Sequence, residues 1–254
     1  MGRAISRVTA LFVLCCSLIA GDTASVHVPV LLYHRFGPRR LDSMTVTTPV
    51  FQQQMRLIRD RGYHVIRMRE LIDYLLGKGP APASKSVVLT ADDGHGTIYS
   101  DMYPVVREYT FPVTLFIYPS AISNARWGMT WDELRTLQDS GLFDIQSHTY
   151  WHPNFQHERE RKSPADYSKF VDWQLRHSKE VLSERLQKPV DLLAWPFGIY
   201  DPWLMSEAGK DGYLAAFSIV RRPVTKSDAI MALPRFLVTD SDRGERFVNL
   251  LSSQ

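Results

Sequence analysis

Cysteine is almost absent from this chain: there are two, Cys15 and Cys16, side by side within the first twenty residues. If that segment is removed, the mature protein has neither a disulfide nor a thiol, which excludes a cysteine nucleophile and a disulfide framework. No apolar run approaches the roughly 20 residues of a bilayer-spanning helix; the run from Ala10 to Ala20 falls well short. Internal repeats, low-complexity tracts and long Pro/Gly/Ser linkers are missing as well, so nothing marks a second domain. Charge of one sign is nowhere gathered into a block. With 30 Lys and Arg against 27 Asp and Glu, the net charge of +3 is spread along the chain. Stretches such as "ERERKS" at 158–163 read as solvated surface, and no nucleic-acid partner is expected.

What is present is enough for one sizeable core. The chain is 44% hydrophobic and 22% charged, and its 254 residues suit a single α/β barrel. The opening "MGRAISRVTALFVLCCSLIAGDTASV" places Arg3 and Arg7 before the apolar run and small residues after it. That layout predicts a signal peptide over 1–25, cleaved between Ala20 and Ser25, and an exported domain over 26–254 with no membrane span left after cleavage. A retained anchor or a lipid-modified cysteine is the lesser alternative, since Val13 and Cys15 flank such a site poorly.

After the leader, short β-rich runs alternate with helical patterns. "VPVLLYH" (28–34), "SVVLTA" (86–91), "VTLFIY" (113–118), "FDIQSH" (143–148) and "DLLAWPF" (191–197) read as strands. "TPVFQQQMRLIRDRGY" reads as a helix with Thr48 as N-cap and Pro49 in its first position. "TWDELRTLQDSG" pairs Thr130 with Glu133 as a capping box and stops at Gly141. A long helix is expected over 165–187, and a shorter one after "YDP" at 200–202. This alternation predicts a mostly parallel sheet, rolled or open, with functional residues at the C-terminal ends of its strands.

Polar clusters fall at those ends. "LTADDGHGT" (89–97) sets Asp92 and Asp93 at the close of an apolar run, with Gly94 free to turn the backbone. Two adjacent carboxylates raise each other's pKa unless a cation stabilises one and leaves the other as a base. Alone, the pair would more often be a strand-end turn or helix cap. "SHTYWHP" (147–153) supplies a place for the cation: His148 and His152 are four apart, and Pro153 disfavours a helix at His152, so a loop is expected. One carboxylate and two imidazoles leave open positions on Zn²⁺ or a similar ion, the arrangement of a catalytic site. Such an ion would polarise a carbonyl and activate water, with the second carboxylate as general base. "LLYHR" places Tyr33 and His34, and "AWPFGIYD" places Trp195, Pro196 and Phe197, at further strand ends. His34 equally suits an ordinary surface or core histidine. For the aromatics core packing is the simpler reading, although aromatic platforms also suit sugar rings.

Together "TADDG", "SHTYWHP" and "WPFG", in that order on alternating strands, resemble the polysaccharide deacetylases, the NodB-like carbohydrate esterases of family 4, and in particular their poly-N-acetylglucosamine deacetylase branch. The similarity runs from about Val28 to Val238. It implies a distorted (β/α)7 barrel in a single domain and metal-dependent removal of acetyl groups from an acetylated polysaccharide or oligosaccharide. Zinc is the first expectation for the metal, with cobalt, nickel and iron also compatible. Carried over by position, Asp92 is the general base, and Asp93, His148 and His152 are the metal ligands. Tyr33, Trp195, Pro196 and Phe197 are expected to bind substrate.

The chain departs from the family pattern twice: Ala194 stands where an arginine usually orients the base, and "LPR" at 233–235 lacks the usual histidine acid. Both fit a resemblance to the circularly permuted branch, in which the acid comes from an early strand ending in "YH". His34 then becomes the general acid, and Arg235 is expected to replace the missing arginine beside Asp92. Other acetylated glycans (peptidoglycan, chitin oligomers, xylan) remain alternatives to a poly-N-acetylglucosamine-type exopolysaccharide, as does a non-catalytic sugar-binding protein. A glycosidase needs two carboxylates on different strands about 5–10 Å apart, which adjacent Asp92 and Asp93 do not offer. Protein partners and oligomeric state are not specified by the sequence.

Overall fold

The structure, a computed structural model, describes residues 26–252. The expected signal peptide, with both cysteines, lies outside the described residues. Among the described residues there are ten strands: β1 (Val30–Tyr33), β2 (Arg35–Gly37), β3 (Thr45–Thr47), β4 (His64–Val65), β5 (Ser86–Asp92), β6 (Val113–Ile117), β7 (Phe143–Ser147), β8 (Leu192–Ala194), β9 (Ala215–Phe217) and β10 (Phe236–Leu237). The helices are α1 (Thr48–Asp60), α2 (Met68–Leu75), α3 (Tyr103–Tyr109), α4 (Trp131–Asp139), α5 (Phe155–Arg161), α6 (Pro164–Leu186), α7 (Pro202–Lys210) and α8 (Glu245–Leu251).

Seven strands run in the order β10-β1-β5-β6-β7-β8-β9, every neighbouring pair parallel, with β4 added on β5. The segment entering β10 joins the two edges: Leu233 bridges Phe217 of β9 just before β10 pairs with β1. The sheet is thus a curled, distorted (β/α)7 barrel surrounded by helices, as expected. Parallel strands buried on both faces read as continuous apolar runs, which is how "SVVLTA" looks in the sequence.

The strand period of two sorts these residues between lumen and outer layer. Val30, Val88, Phe116, Leu192, Ala194, Ala215 and Phe217 pack together inside the barrel, and Met68, Leu71 and Ile72 of α2 close its lower end. Leu31, Tyr33, Leu89, Ala91, Leu115 and Ile117 face outward against the helices. Asp92 follows Val88 and Thr90 on the lumen side, and His34, one residue beyond Tyr33, is set opposite it by the same alternation.

Local sequence explains the helix ends. Thr130 and Glu133 form the expected capping box at α4, and Gly141 takes the left-handed conformation beyond its end (φ 73°). α6 starts with Ser163 accepting from the Asp166 amide, and α7 with Asp201 accepting from the Leu204 amide. Two readings shift: α1 has Thr47, not Thr48, as its N-cap residue, and the last strand of "DLLAWPF" stops at Ala194, because a 3₁₀ turn at Pro196–Gly198 bends the chain across the barrel mouth.

Candidate active site

The C-terminal mouth of the barrel gathers Asp92, Asp93, His148 and His152. β5 delivers Asp92 pointing inward; Asp93 then takes a left-handed backbone (φ 72°) and Gly94 another (φ 82°). The kink carries the second carboxylate over the mouth instead of to the outer face. A Cβ on Gly94 would lie 3.0 Å from the Cδ1 atoms of both Ile117 and Ile122, so a larger residue would have to push these methyls aside in addition to adopting the left-handed backbone. His148 and His152 lie on the loop after β7, as expected, with Thr149 (φ 64°) and His152 (φ 62°) also left-handed. Among the described residues, four of the eight non-glycine residues with positive φ ring this mouth: Asp93, Thr149, His152 and Phe197. Such strain persists only where the surroundings over-determine it, and it gathers at ligand sites.

Asp93, His148 and His152 each offer one ligand atom, all within 4.8 Å of one another. His148 Nε2 and His152 Nε2 approach Asp93 Oδ1 to 3.7 and 3.8 Å. His148 Nδ1 sits 2.7 Å from the Ala194 carbonyl, to which it donates, so Nε2 is left as the acceptor facing the carboxylates. Burial, reinforced by the adjacent His148, pushes the His152 ring down to about 3, so it is a neutral imidazole with a free lone pair. Two imidazoles and one carboxylate converging from a strand end and one loop form a donor set suited to a divalent ion, with coordination positions to spare.

Asp92 is 2% exposed and is gripped by Arg235, itself fully buried: Nη1 donates to Oδ1 and Nη2 to Oδ2, each at 2.8 Å. Burial alone would raise this carboxyl, but Arg235, His148 and the paired hydrogen bonds outweigh it and hold Asp92 below the usual carboxylate range. The guanidinium is satisfied on every side. Its Nε donates to the Ser218 carbonyl, Nη1 also lies 3.4 Å from Thr90 Oγ1, and the group sits over the Phe116 and Phe217 rings at 5.2 and 5.9 Å. His148 Nε2 is 3.7 Å from Asp92 Oδ2, so the base candidate and the metal candidate share one wall.

His34 senses Asp92, Asp93, Arg235 and His148 electrostatically, and its Nδ1 is buried without a hydrogen-bond partner. Burial lowers its pKa, and the two aspartates oppose that shift. Phe197, 57% exposed and left-handed (φ 57°), stands edge-on to His152 at 4.5 Å between ring centres.

Three expected substrate-binding residues lie elsewhere. The Tyr33 ring is fully buried in the outer layer, with its hydroxyl donating to Gln54 Oε1 at 3.0 Å, because strand alternation turns it away from the lumen. Trp195 is fully buried too, packed with Phe155 and donating from Nε1 to the Met231 carbonyl. Pro196 is buried at the start of the 3₁₀ turn. Their place is in support of the mouth, not on its surface. Conversely, Tyr118 flanks the histidines, its ring centre 6.4 Å from His148 and 5.3 Å from His152. Its position at the end of "VTLFIY" was the signal that could have singled it out. His95 is occupied with Thr97 Oγ1 and stacked on Trp127, outside the ligand group.

A parallel barrel whose mouth combines an Asp-His-His donor set with an arginine-held carboxylate defines a hydrolase-type centre. The sequence profile described as polysaccharide deacetylase matches residues 79–216, more than half of the chain, and the chain belongs to that family. It is 22% identical over 213 residues to the poly-beta-1,6-N-acetyl-D-glucosamine N-deacetylase of Staphylococcus aureus strain MRSA252, covering 82% of this chain and 73% of that one. Among solved structures, the fold is similar to the Streptococcus pyogenes deacetylase PplD (TM-score 0.80, 21% identity, 90% of this chain and 99% of that one). It is also similar to IcaB from Ammonifex degensii (TM-score 0.76, 23% identity, 89% and 97%).

Proposed function

We propose that this chain is a metal-dependent N-deacetylase acting on an exported, N-acetylated polysaccharide of the poly-N-acetylglucosamine type. The carrying observation is the juxtaposition at the barrel mouth: three convergent ligand atoms of Asp93, His148 and His152 beside Asp92, whose carboxylate is locked by Arg235. Similarity to an N-acetylglucosamine polymer deacetylase supports the substrate class.

Asp93, His148 and His152 would hold the ion, zinc first among the candidates. A bound divalent ion would supply Lewis-acid polarisation of the acetyl carbonyl and an acidified water. Asp92 accepts the proton of the attacking water; it lies against His148 and so borders the space where that water must sit. Arg235 keeps that carboxylate ionised and fixed in orientation, so the proton acceptor is ready before substrate arrives. His34 delivers a proton to the departing amine; burial lowers its pKa on balance, and the two aspartates beside it oppose that shift. Phe197 offers an exposed ring beside the ligands for the sugar or the acetyl methyl. Loss of the acetyl group leaves an amine that is cationic at neutral pH. Export through the predicted signal peptide would bring the enzyme to its polymer.

The test is product mass after incubation with β-1,6-linked N-acetylglucosamine oligomers. Loss of acetyl groups at constant chain length is expected. Chain cleavage, or no acetate from any N-acetylated glycan, overturns the proposal.

A further inference from the structure

Beside the barrel mouth lies a cavity of about 420 Å³, lined by Arg159, Lys162, Pro164, Tyr167, Ser168 and Trp203. Its position follows from topology. The loop after β7 leads through the short α5 into α6, and the turn after β8 leads into α7, so the N-terminal ends of α6 and α7, which carry Tyr167, Ser168 and Trp203, stand on the same rim as the ligands. A line of aromatic rings connects the two places. Trp151, 41% exposed and next to His152, meets Phe170 at 5.8 Å; Phe170 meets Tyr167 at 6.4 Å; Tyr167 meets Trp203 at 5.4 Å.

The lining is polar in one sense only. The Arg159 guanidinium lies over both the Tyr167 and Trp203 rings, and Lys162 lies over Phe170. The carboxylates that neutralise them are already engaged: Asp201 pairs with Arg159 while capping α7, and Glu158 pairs with Lys162. No carboxylate lines the cavity. Tyr167 is 5% exposed, and its hydroxyl has the Arg159 guanidinium as its polar neighbour. Indole and phenol faces surrounded by N–H and O–H donors suit a ligand with flat C–H surfaces and oxygen acceptors. With two cations and no carboxylate in the lining, and the ring faces already holding those cations, an added ammonium group meets like charge there.

We infer that this cavity is an accessory saccharide subsite, which seats an acetylated sugar unit of the same polymer some residues along from the reacting one and disfavours a unit already deacetylated. The inference rests on the proposed deacetylase function for the identity of the polymer. Its consequence is directional: after each reaction the chain is held by its unreacted side, and short oligomers that cannot span from mouth to cavity are poorer substrates.

The experiment measures binding by calorimetry and turnover by acetate release, on the full domain, with β-1,6-linked N-acetylglucosamine hexamer and its deacetylated counterpart. Two variants are compared, Trp203→Ala, which removes the platform, and Ser168→Tyr, an exposed substitution that fills the cavity without disturbing the core. Wild type is expected to bind the acetylated hexamer at least five-fold tighter than the deacetylated one. Both variants are expected to lose at least five-fold in hexamer affinity, Ser168→Tyr at unchanged melting temperature and Trp203→Ala with some loss of stability because its ring packs on Tyr167, and kcat/KM for the hexamer is expected to fall more than for the dimer. Equal affinity for the two hexamers, or unchanged hexamer affinity in Ser168→Tyr, overturns the inference. If the variants lose binding while wild type releases no acetate, the subsite stands and the proposed reaction fails, so the two are separable.

Discussion

Replacing Arg235 by methionine keeps most of the side-chain volume but strands the Asp92 carboxylate. In the native chain both partners are buried, at 0% and 2% exposure, and joined by two 2.8 Å hydrogen bonds. Removing one member of such a pair costs about 3–5 kcal/mol, because the remaining charge is left in a poorly solvating site. At about 2–4 °C per kcal/mol for a domain of this size, the melting temperature falls by roughly 6–20 °C.

The loss depends on pH with a definite sign. In the native chain Asp92 has a depressed pKa, so its contribution is present above the unfolded value of about 3.9 and is lost as pH falls through the folded one. In Arg235→Met, burial dominates and the folded pKa lies above the unfolded one. Stability then falls as pH rises from about 4 towards that raised value. The gap between the two proteins therefore widens from pH 5 to pH 7.5. Urea denaturation at both values measures it, and the double variant Arg235→Met with Asp92→Asn recovers about 2–3 kcal/mol of coupling. In parallel, acetate release by Arg235→Met drops about 100-fold at pH 7, since the base is protonated, and partly recovers at higher pH. Strictly additive single-variant effects, with a gap equal at the two pH values, would refute the reasoning.

Other expectations are more local. His34→Ala should lower kcat about 10²–10⁴-fold on N-acetyl substrates but far less on an activated aryl acetate, whose leaving group needs no proton; equal losses remove His34 from the acid role. Gly198→Ala would place a Cβ 2.5 Å from Ile219 Cγ1 at φ 66°, so a loss of about 1–3 kcal/mol in stability is expected by thermal melting, with weaker substrate binding because Phe197 moves with the turn. Asp211 is pushed up to about 6 by burial and by Asp172, so its ionisation works against the fold above that pH. Asp211→Asn should stabilise the protein at pH 7.5, by no more than about 1 kcal/mol after solvent screening, with the gain vanishing below pH 4.

The sequence carried the barrel's framework because parallel strands buried on both sides announce themselves as apolar runs, and helices as capped 3.6-residue patterns. "SVVLTA" and "TWDELRTLQDSG" became β5 and α4 almost residue for residue. Strands of two or three residues, such as β4, β9 and β10, leave too little pattern to read and exist only through their neighbours. The metal-type triad was legible from motif spacing and resemblance, but Asp92 and Arg235 are 143 residues apart with no local signal linking them; only barrel closure through Leu233 brings them together. Direction was the harder matter at strand ends. Tyr33 and His34 are neighbours in sequence and opposites in space, and the period of two that assigns His34 to the mouth also assigns Tyr33 to Gln54 and the outer layer. An apolar run does not show where its strand stops: β8 ends at Ala194, so Trp195 is buried and, of the three residues Trp195 to Phe197, the turn at Pro196 leaves only Phe197 exposed.

The measurement that bears most directly on the centre is metal titration of the chelator-stripped domain, with acetate release from an N-acetylglucosamine oligomer as the readout. Activity should be absent without metal, rise linearly with added zinc to one equivalent per chain, and fail to appear in His152→Ala or Asp93→Ala at any zinc level that leaves the fold intact. Full acetate release in the presence of chelator, or from either variant, would contradict the assignment of Asp93, His148 and His152 as the site of a catalytic ion.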